Sequence, residues 1–215
     1  MKRLYSTALI MAAVAVMGGS AQAHGTDSRD TPHFGLKAGV NYSNVYDTKG
    51  EAFNADPKFG LAAGVFMAIP IGKYLGIQPE ILFSQKGFQA KGTIPILGNT
   101  YEFTRTTDYI DVPILFSLKP IAFLTLLVGP QYSFLMKQKD VFTSATLSVE
   151  QAQEFKNDNI RTNIFCFLGG VDINLTHVVL GPRVGWDILN NNGDGTSTNP
   201  RYKNVWYQAA LGYRF

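Results

Sequence analysis

Along most of the chain apolar residues recur at every second position. Phe34, Leu36, Ala38, Val40 and Tyr42 alternate with Gly35, Lys37, Gly39, Asn41 and Ser43. The same beat runs through Phe59–Ile69, Ile77–Ser84, Tyr109–Leu118, Leu124–Phe134, Phe165–Leu175, Val178–Ile188 and Val205–Phe215. Successive side chains of a strand point to opposite faces, so period two marks a ribbon with two unlike sides. Helical periodicity is scarce. The pattern predicts eight strands, an even number, the last running to the terminal Phe215.

The connections alternate too. Short links at "IGK", "LKPI" and "NLTH" join strands two to three, four to five and six to seven. Long polar links occupy about 45–57, 89–101, 137–160 and 190–203. Tight turns at one end and long loops at the other are the habit of an outer-membrane barrel. Pro79, Pro113, Pro130 and Pro182 fall inside predicted strands. Proline cannot donate to a ladder, so bulges or local strand ends are expected there. The stretch "TLSVEQAQEF" at 146–155 is read as one or two helical turns in the third outer loop, a possible partner contact.

Two closed barrels fit eight such strands, a soluble one with apolar residues inside and a membrane one with apolar residues outside. The minority face decides. It carries Gly, Ala, Ser, Thr and Asn with a few charges of both signs: Lys37, Glu80, Asp111, Asp172, Arg183, Asp187 and Arg214. A water-facing surface carries more charge than a chain with 16% charged residues supplies. A narrow lumen, where opposite charges pair, suits this set. The apolar faces hold no charged residue, as lipid contact requires, since Arg or Lys at mid-bilayer costs about 2–4 kcal/mol. Phe34, Tyr74, Tyr213 and Phe215 near the short turns, and Tyr42, Phe83, Tyr132, Phe134, Trp186 and Tyr207 toward the long loops, read as two interfacial girdles. The expected fold is therefore all-β: an eight-stranded antiparallel up-and-down transmembrane β-barrel. Val128→Arg, on the lipid face, is expected to block insertion far more than Ser133→Arg on the lumen face.

The N-terminus adds the address. Lys2 and Arg3 precede an apolar run from about Ala8 to Met17, followed by Ala21-Gln22-Ala23. That is a secretory signal with an A-x-A site, cleaved after residue 23. Residues 24–33 then form a short periplasmic tail and 34–215 the barrel. The apolar stretch around "IPILFSLKPIAFLTLLVGP" is broken by prolines and Lys119, so it is no spanning helix. Cys166 is the single cysteine and is read as lumen packing. The net charge of +3 is spread without a Lys/Arg cluster, which excludes a nucleic-acid footprint.

Five blocks in order, "FGLKAGVNYSNV", "GIQPEILFSQKGF", "YIDVPILFSL", "LLVGPQYSFL" and "LGYRF", resemble the outer-membrane β-barrel family of Bacteroidota, the PorT-like barrels. The resemblance implies a small barrel in the outer membrane, for most members without an assigned activity; no cofactor is expected. One branch belongs to a protein-secretion and gliding apparatus. Tyr213 and the terminal Phe215 look like the assembly signal that such barrels present to their insertion machinery.

Candidate chemistry is thin. His24 and His33 lie in the leading tail and His177 in a tight turn, all away from the long loops. Ser84 and Ser133 thus lack the base that activates a serine nucleophile. Glu80 and Asp111 are expected as neighbours across strands three and four, which leaves carboxylate chemistry or, as the plainer reading, salt bridges with Lys37, Arg183 or Arg214. "NNNGDGTSTN", with Asp194, lacks the calcium-loop spacing and its closing Glu, so no metal is assigned. The expectation is a non-enzymatic barrel with a structural or binding role through its outer loops or lateral surface. The alternatives are a secretion-apparatus component and a narrow transport or ligand-binding barrel. The partners expected are outer-membrane lipid, the insertion machinery and a possible secretion-apparatus or surface partner.

Overall fold

Alternation becomes nine strands in the computed structural model, which describes residues 29–47, 55–93, 100–144, 148–153, 161–190 and 202–215. They are β1 (His33–Asp47), β2 (Ala55–Pro70), β3 (Leu75–Thr93), β4 (Thr100–Ile121), β5 (Leu124–Ser144), β6 (Ser148–Gln153), β7 (Asn163–Leu175), β8 (Val178–Asp187) and β9 (Tyr202–Arg214). Eight of them close a ring in the order β1-β2-β3-β4-β5-β7-β8-β9, and β9 returns to β1 from Gly35↔Arg214 to Asp47↔Tyr202. Every pairing is antiparallel. The fold is a closed eight-stranded barrel, and closure removes the sheet edges that lipid could not satisfy. The signal segment, His24 and the Asp194 stretch lie outside the described residues. His33, read from sequence as tail, opens β1.

Three tight turns, at 71–74, 122–123 and 176–177, share one end with both described chain ends. At that end Phe215 N–H donates to the carbonyl of Phe34 at 2.9 Å, and their rings stack at 6.0 Å. At the other end the hairpins run on. The β3–β4 ladder reaches Thr93↔Thr100 and the β4–β5 ladder reaches Tyr101↔Ser144. The long links near 89–101 and 137–160 are thus partly strand.

Two sequence expectations fail here. Ser148–Gln153 is strand β6 rather than helical turns. β7 meets β5 only up to Phe134↔Asn163, which opens the upper edge of β5, and β6 pairs there from Gln138↔Gln153 to Thr143↔Ser148. Backbone donors and acceptors on that edge need partners, and the returning chain supplies them. The prolines make no bulges either. Pro79↔Ile114, Pro113↔Gln131, Pro130↔Phe167 and Pro182↔Ala209 sit in ladders whose register is the same on both sides. A proline loses one donor toward one neighbour, and the ladder on its other side holds. Register shifts occur instead between Pro57 and Ala62 in β2, between Asp108 and Tyr109, opposite Lys137 and Leu135, and between Leu118 and Ile121.

The faces separate sharply. Leu36, Leu61, Phe116, Val128 and Leu211 are exposed on the outside, while Asn41, Ser84, Leu115 and Cys166 inside are fully buried. An exposed apolar belt around a closed barrel is the surface lipid covers.

Candidate functional site

The lumen is filled in layers, each fixed by strand parity. In the half nearest the short turns, Lys37 of β1, Glu80 of β3, and Asp172 and Arg183 of β7 and β8 converge. Arg183 Nη1 donates to both Glu80 oxygens at 2.8 Å, and its Nη2 donates to Asp172 at 3.1 Å. Lys37 Nζ donates to Glu80 Oε2. Gln78 links the two carboxylates, at 2.9 Å to Glu80 and 3.1 Å to Asp172. Two cations meet two anions with side chains at most 5% exposed. Charges this buried need such balance and hydrogen bonding to persist.

Above lies an apolar layer of Tyr109, Leu115, Leu127, Leu135, Ile164, Cys166, Leu168 and Trp206. Lys86 threads it, 3.0 Å from Asp111 and 3.7 Å above the Trp206 ring, with Tyr109 at 5.0 Å. Trp206 lies flat against Gly185, where a Cβ would fall 2.3 Å from the indole. The outer mouth is capped by Val45, Phe88, Ala90 and Tyr202, with Phe103 packed on them. Arg105 braces the cap: its Nε and Nη2 grip Asp140 at 2.8 and 2.7 Å, and its Nη1 donates to Tyr202 Oη at 2.8 Å. Burial works against the Arg105 charge, yet Tyr202 and Asp140 more than restore it, so the guanidinium holds its proton above its usual range.

The residues singled out from sequence divide accordingly. Lys37, Glu80, Asp172 and Arg183 form one cluster. Asp111 does not neighbour Glu80: its cross-strand partner is Leu82, and its ion pair is with Lys86. Among the described residues Asp187 takes no cation directly. It accepts from the Asn204 backbone at 2.9 Å and from Cys166 Sγ at 3.2 Å. Arg214 stays at the short-turn mouth, donating to the Thr176 carbonyl at 2.7 Å and Asn174 at 3.4 Å, outside the ion cluster. Tyr213 and Phe215 point out, their rings 5.2 Å apart, with His177 stacked on Tyr213 at 5.6 Å.

Sequence reasoning missed Lys86, Gln78 and Trp206. Lys86 shares parity with Glu80 and Ser84, and carrying β3 two residues past Ser84 finds it. Ser84 is bonded by Asn41 at 3.0 Å, and Ser133 by Gln131 at 3.0 Å, both without a histidine. Among the described residues no group of three or more His, Cys, Asp or Glu could hold a metal ion. A cavity of about 20 Å³ lies at the short-turn mouth and one of about 10 Å³ beside Arg183, each with room for about one water.

A family described as "Outer membrane protein beta-barrel domain" matches residues 21–176. No curated protein matches. Among solved structures the chain is similar to Ail, the attachment invasion locus protein of Yersinia pestis, at 14% identity over 85% of this chain and 98% of that one, with a TM-score of 0.45. Neisserial surface protein A is 11% identical over 85% and 97%, TM-score 0.46. OprG of Pseudomonas aeruginosa is 12% identical over 87% and 97%, TM-score 0.41.

Proposed function

The chain belongs to the outer membrane protein β-barrel domain family, and from that premise we propose that it is a non-conducting, non-catalytic barrel of the bacterial outer membrane that works as a binding or structural element. The observation that carries this reading is the filled lumen. Among the described residues, three successive layers of buried side chains fill the lumen, which supports a role carried by the surface. The outer extension is the part shaped for that: β3, β4, β5 and β6 continue as one four-stranded sheet beyond the lipid-facing belt.

Planar-bilayer recording tests the closed lumen. Insertion without steady conductance is expected, and a reproducible open level overturns the reading. Replacing residues 89–104 with a two-residue turn tests the surface role. Surface binding by cells carrying the protein should disappear while the barrel still runs as a heat-modifiable band. Binding that survives the replacement moves the role to the lateral surface.

A second reading, a component of a protein-secretion apparatus, rests on the five sequence blocks that resemble PorT-like barrels. Under it the protein migrates in a large assembly on native gels after mild detergent extraction. Migration as a lone barrel argues against it.

A further inference from the structure

At two places a β-bulge turns a lysine and an apolar residue outward side by side. In β2 the register shift between Pro57 and Ala62 contains Lys58 next to Phe59, which is 68% exposed. In β5 the extra residue between Leu135 and Lys137 is Met136, 55% exposed, and Lys137 beside it is exposed too. Bulges re-aim side chains and are features rather than defects. Both re-aim the same pair: an apolar anchor and a cation.

Their height is matched. Counted along the strands from the short turns, Lys58, Asp108 and Lys137 stand almost level. At the usual barrel tilt that distance is about 30 Å along the membrane normal, just past an apolar belt about 25 Å tall. The lysines therefore stand at the headgroups of the outer leaflet, with Phe59 and Met136 in the acyl chains beneath.

Lateral spacing is set by the sheet. β3 and β4 separate β2 from β5, and the rung that runs from Lys58 past Gly87 and Thr106 meets β5 two residues beyond Lys137, so three interstrand steps and that offset put the two lysines about 16 Å apart. Between them Gln85 Nε2 donates to Asp108 at 2.9 Å, and Asp108 stands opposite Lys137 in the ladder and within electrostatic reach of Lys58. Asp108 repels an anion from the middle, leaving two cationic points. Lys139, one rung further out, faces the same side opposite Thr106, and Asp56 lies beyond Lys58. Among the described residues neither Lys58 nor Lys137 has a carboxylate within ion-pair distance.

We propose that Lys58 and Lys137 form a two-point clamp for an outer-leaflet glycolipid whose disaccharide headgroup carries two phosphates, one phosphate to each lysine, while Phe59 and Met136 contact its acyl chains. A diffuse ring of cations would favour any anionic lipid. Two fixed points flanking a carboxylate favour two phosphates on one rigid headgroup.

The purified protein in detergent is titrated with a synthetic bis-phosphorylated disaccharide lipid and read by native mass spectrometry. The arms are the same lipid without phosphates, phosphatidylglycerol, and inorganic phosphate. Saturable binding of the bis-phosphorylated lipid alone is expected. Lys58→Gln and Lys137→Gln should each weaken it about fivefold, in line with the usual contribution of one surface cation near anionic lipid. Lys203→Gln, on β9, should leave it unchanged. Heat-modifiable migration of each variant keeps folding separate from binding. Equal binding of the dephosphorylated lipid or phosphatidylglycerol overturns the clamp, as does competition by inorganic phosphate at equal concentration, or indifference to both lysine substitutions in folded protein.

Discussion

Single side chains in the lumen work as closed accounts of charge and volume. Arg183 serves both Glu80 and Asp172, so Arg183→Met strands a carboxylate in a site almost closed to solvent. Breaking a buried pair from one side costs about 3–5 kcal/mol. Urea unfolding in micelles should show that loss, while Asp172→Asn should cost less because Arg183 keeps Glu80. A difference below about 0.5 kcal/mol for Arg183→Met, the range of an ordinary surface change, would mean that water reaches the cluster. Gly185 is a volume account. A Cβ there lands 2.3 Å from a buried indole, so Gly185→Ala should destabilise by about 1–3 kcal/mol, and Trp206→Phe in the same chain should recover part of it. Much of this was legible. Parity alone puts Lys37, Glu80, Asp172 and Arg183 inside, because a charge on the other face would meet lipid. Which cation meets which anion was not. Glu80 and Asp111 are near in sequence pattern but two rungs apart in register, and only the register shows that Asp111 belongs to Lys86.

Strands are legible where two different solvents touch their two faces. From Phe34 to Tyr42 and from Leu124 to Phe134, lipid outside and a packed lumen inside force an unbroken alternation. Beyond the belt water replaces lipid, the contrast fades, and the outer parts of β3, β4 and β5 read as loop. β6 was misread for the same reason: "SVEQAQ" has no strong period of its own, and its strand form comes from the open edge of β5. The lipid contrast also sets a test. Val128, 47% exposed on β5, faces lipid, so Val128→Arg should cost about 2–4 kcal/mol and abolish the heat-modifiable band, whereas Val128→Met should not. Ser133→Arg is a poorer comparison than the sequence suggested, because Ser133 is 1% exposed between Gln131 and Cys166 and an arginine overfills it. At the β7–β8 turn, Thr176 holds φ at 50°, a region that costs a residue with a Cβ about 1–2 kcal/mol. Thr176→Gly should shift the unfolding midpoint toward greater stability, and an unchanged midpoint would mean that the strain relieved is matched by the greater freedom of glycine in the unfolded chain.

Across the whole molecule, the lumen layers act as barriers in series, which sets what any single change can do to permeability. The ion cluster, the apolar layer around Trp206 and the outer cap draw on some of the same strands at different heights, but they share no side chain. Eight strands give an interior just wide enough for side chains to fill, so opening one layer leaves two closed. The double variant Phe88→Ala, Tyr202→Ala removes the two rings that meet at 5.4 Å over the outer mouth and leaves Arg105 held by Asp140 and the Phe103 ring. On the proposed closed-lumen reading it should bind small apolar probes at the outer mouth and still pass no current in a planar bilayer. Steady openings in that variant would show that the cap alone keeps ions out and that the deeper layers breathe on the timescale of conduction. Silence there, together with conductance after Trp206→Ala is added, would instead locate the decisive seal at the indole. Each outcome assigns the barrier to a named layer.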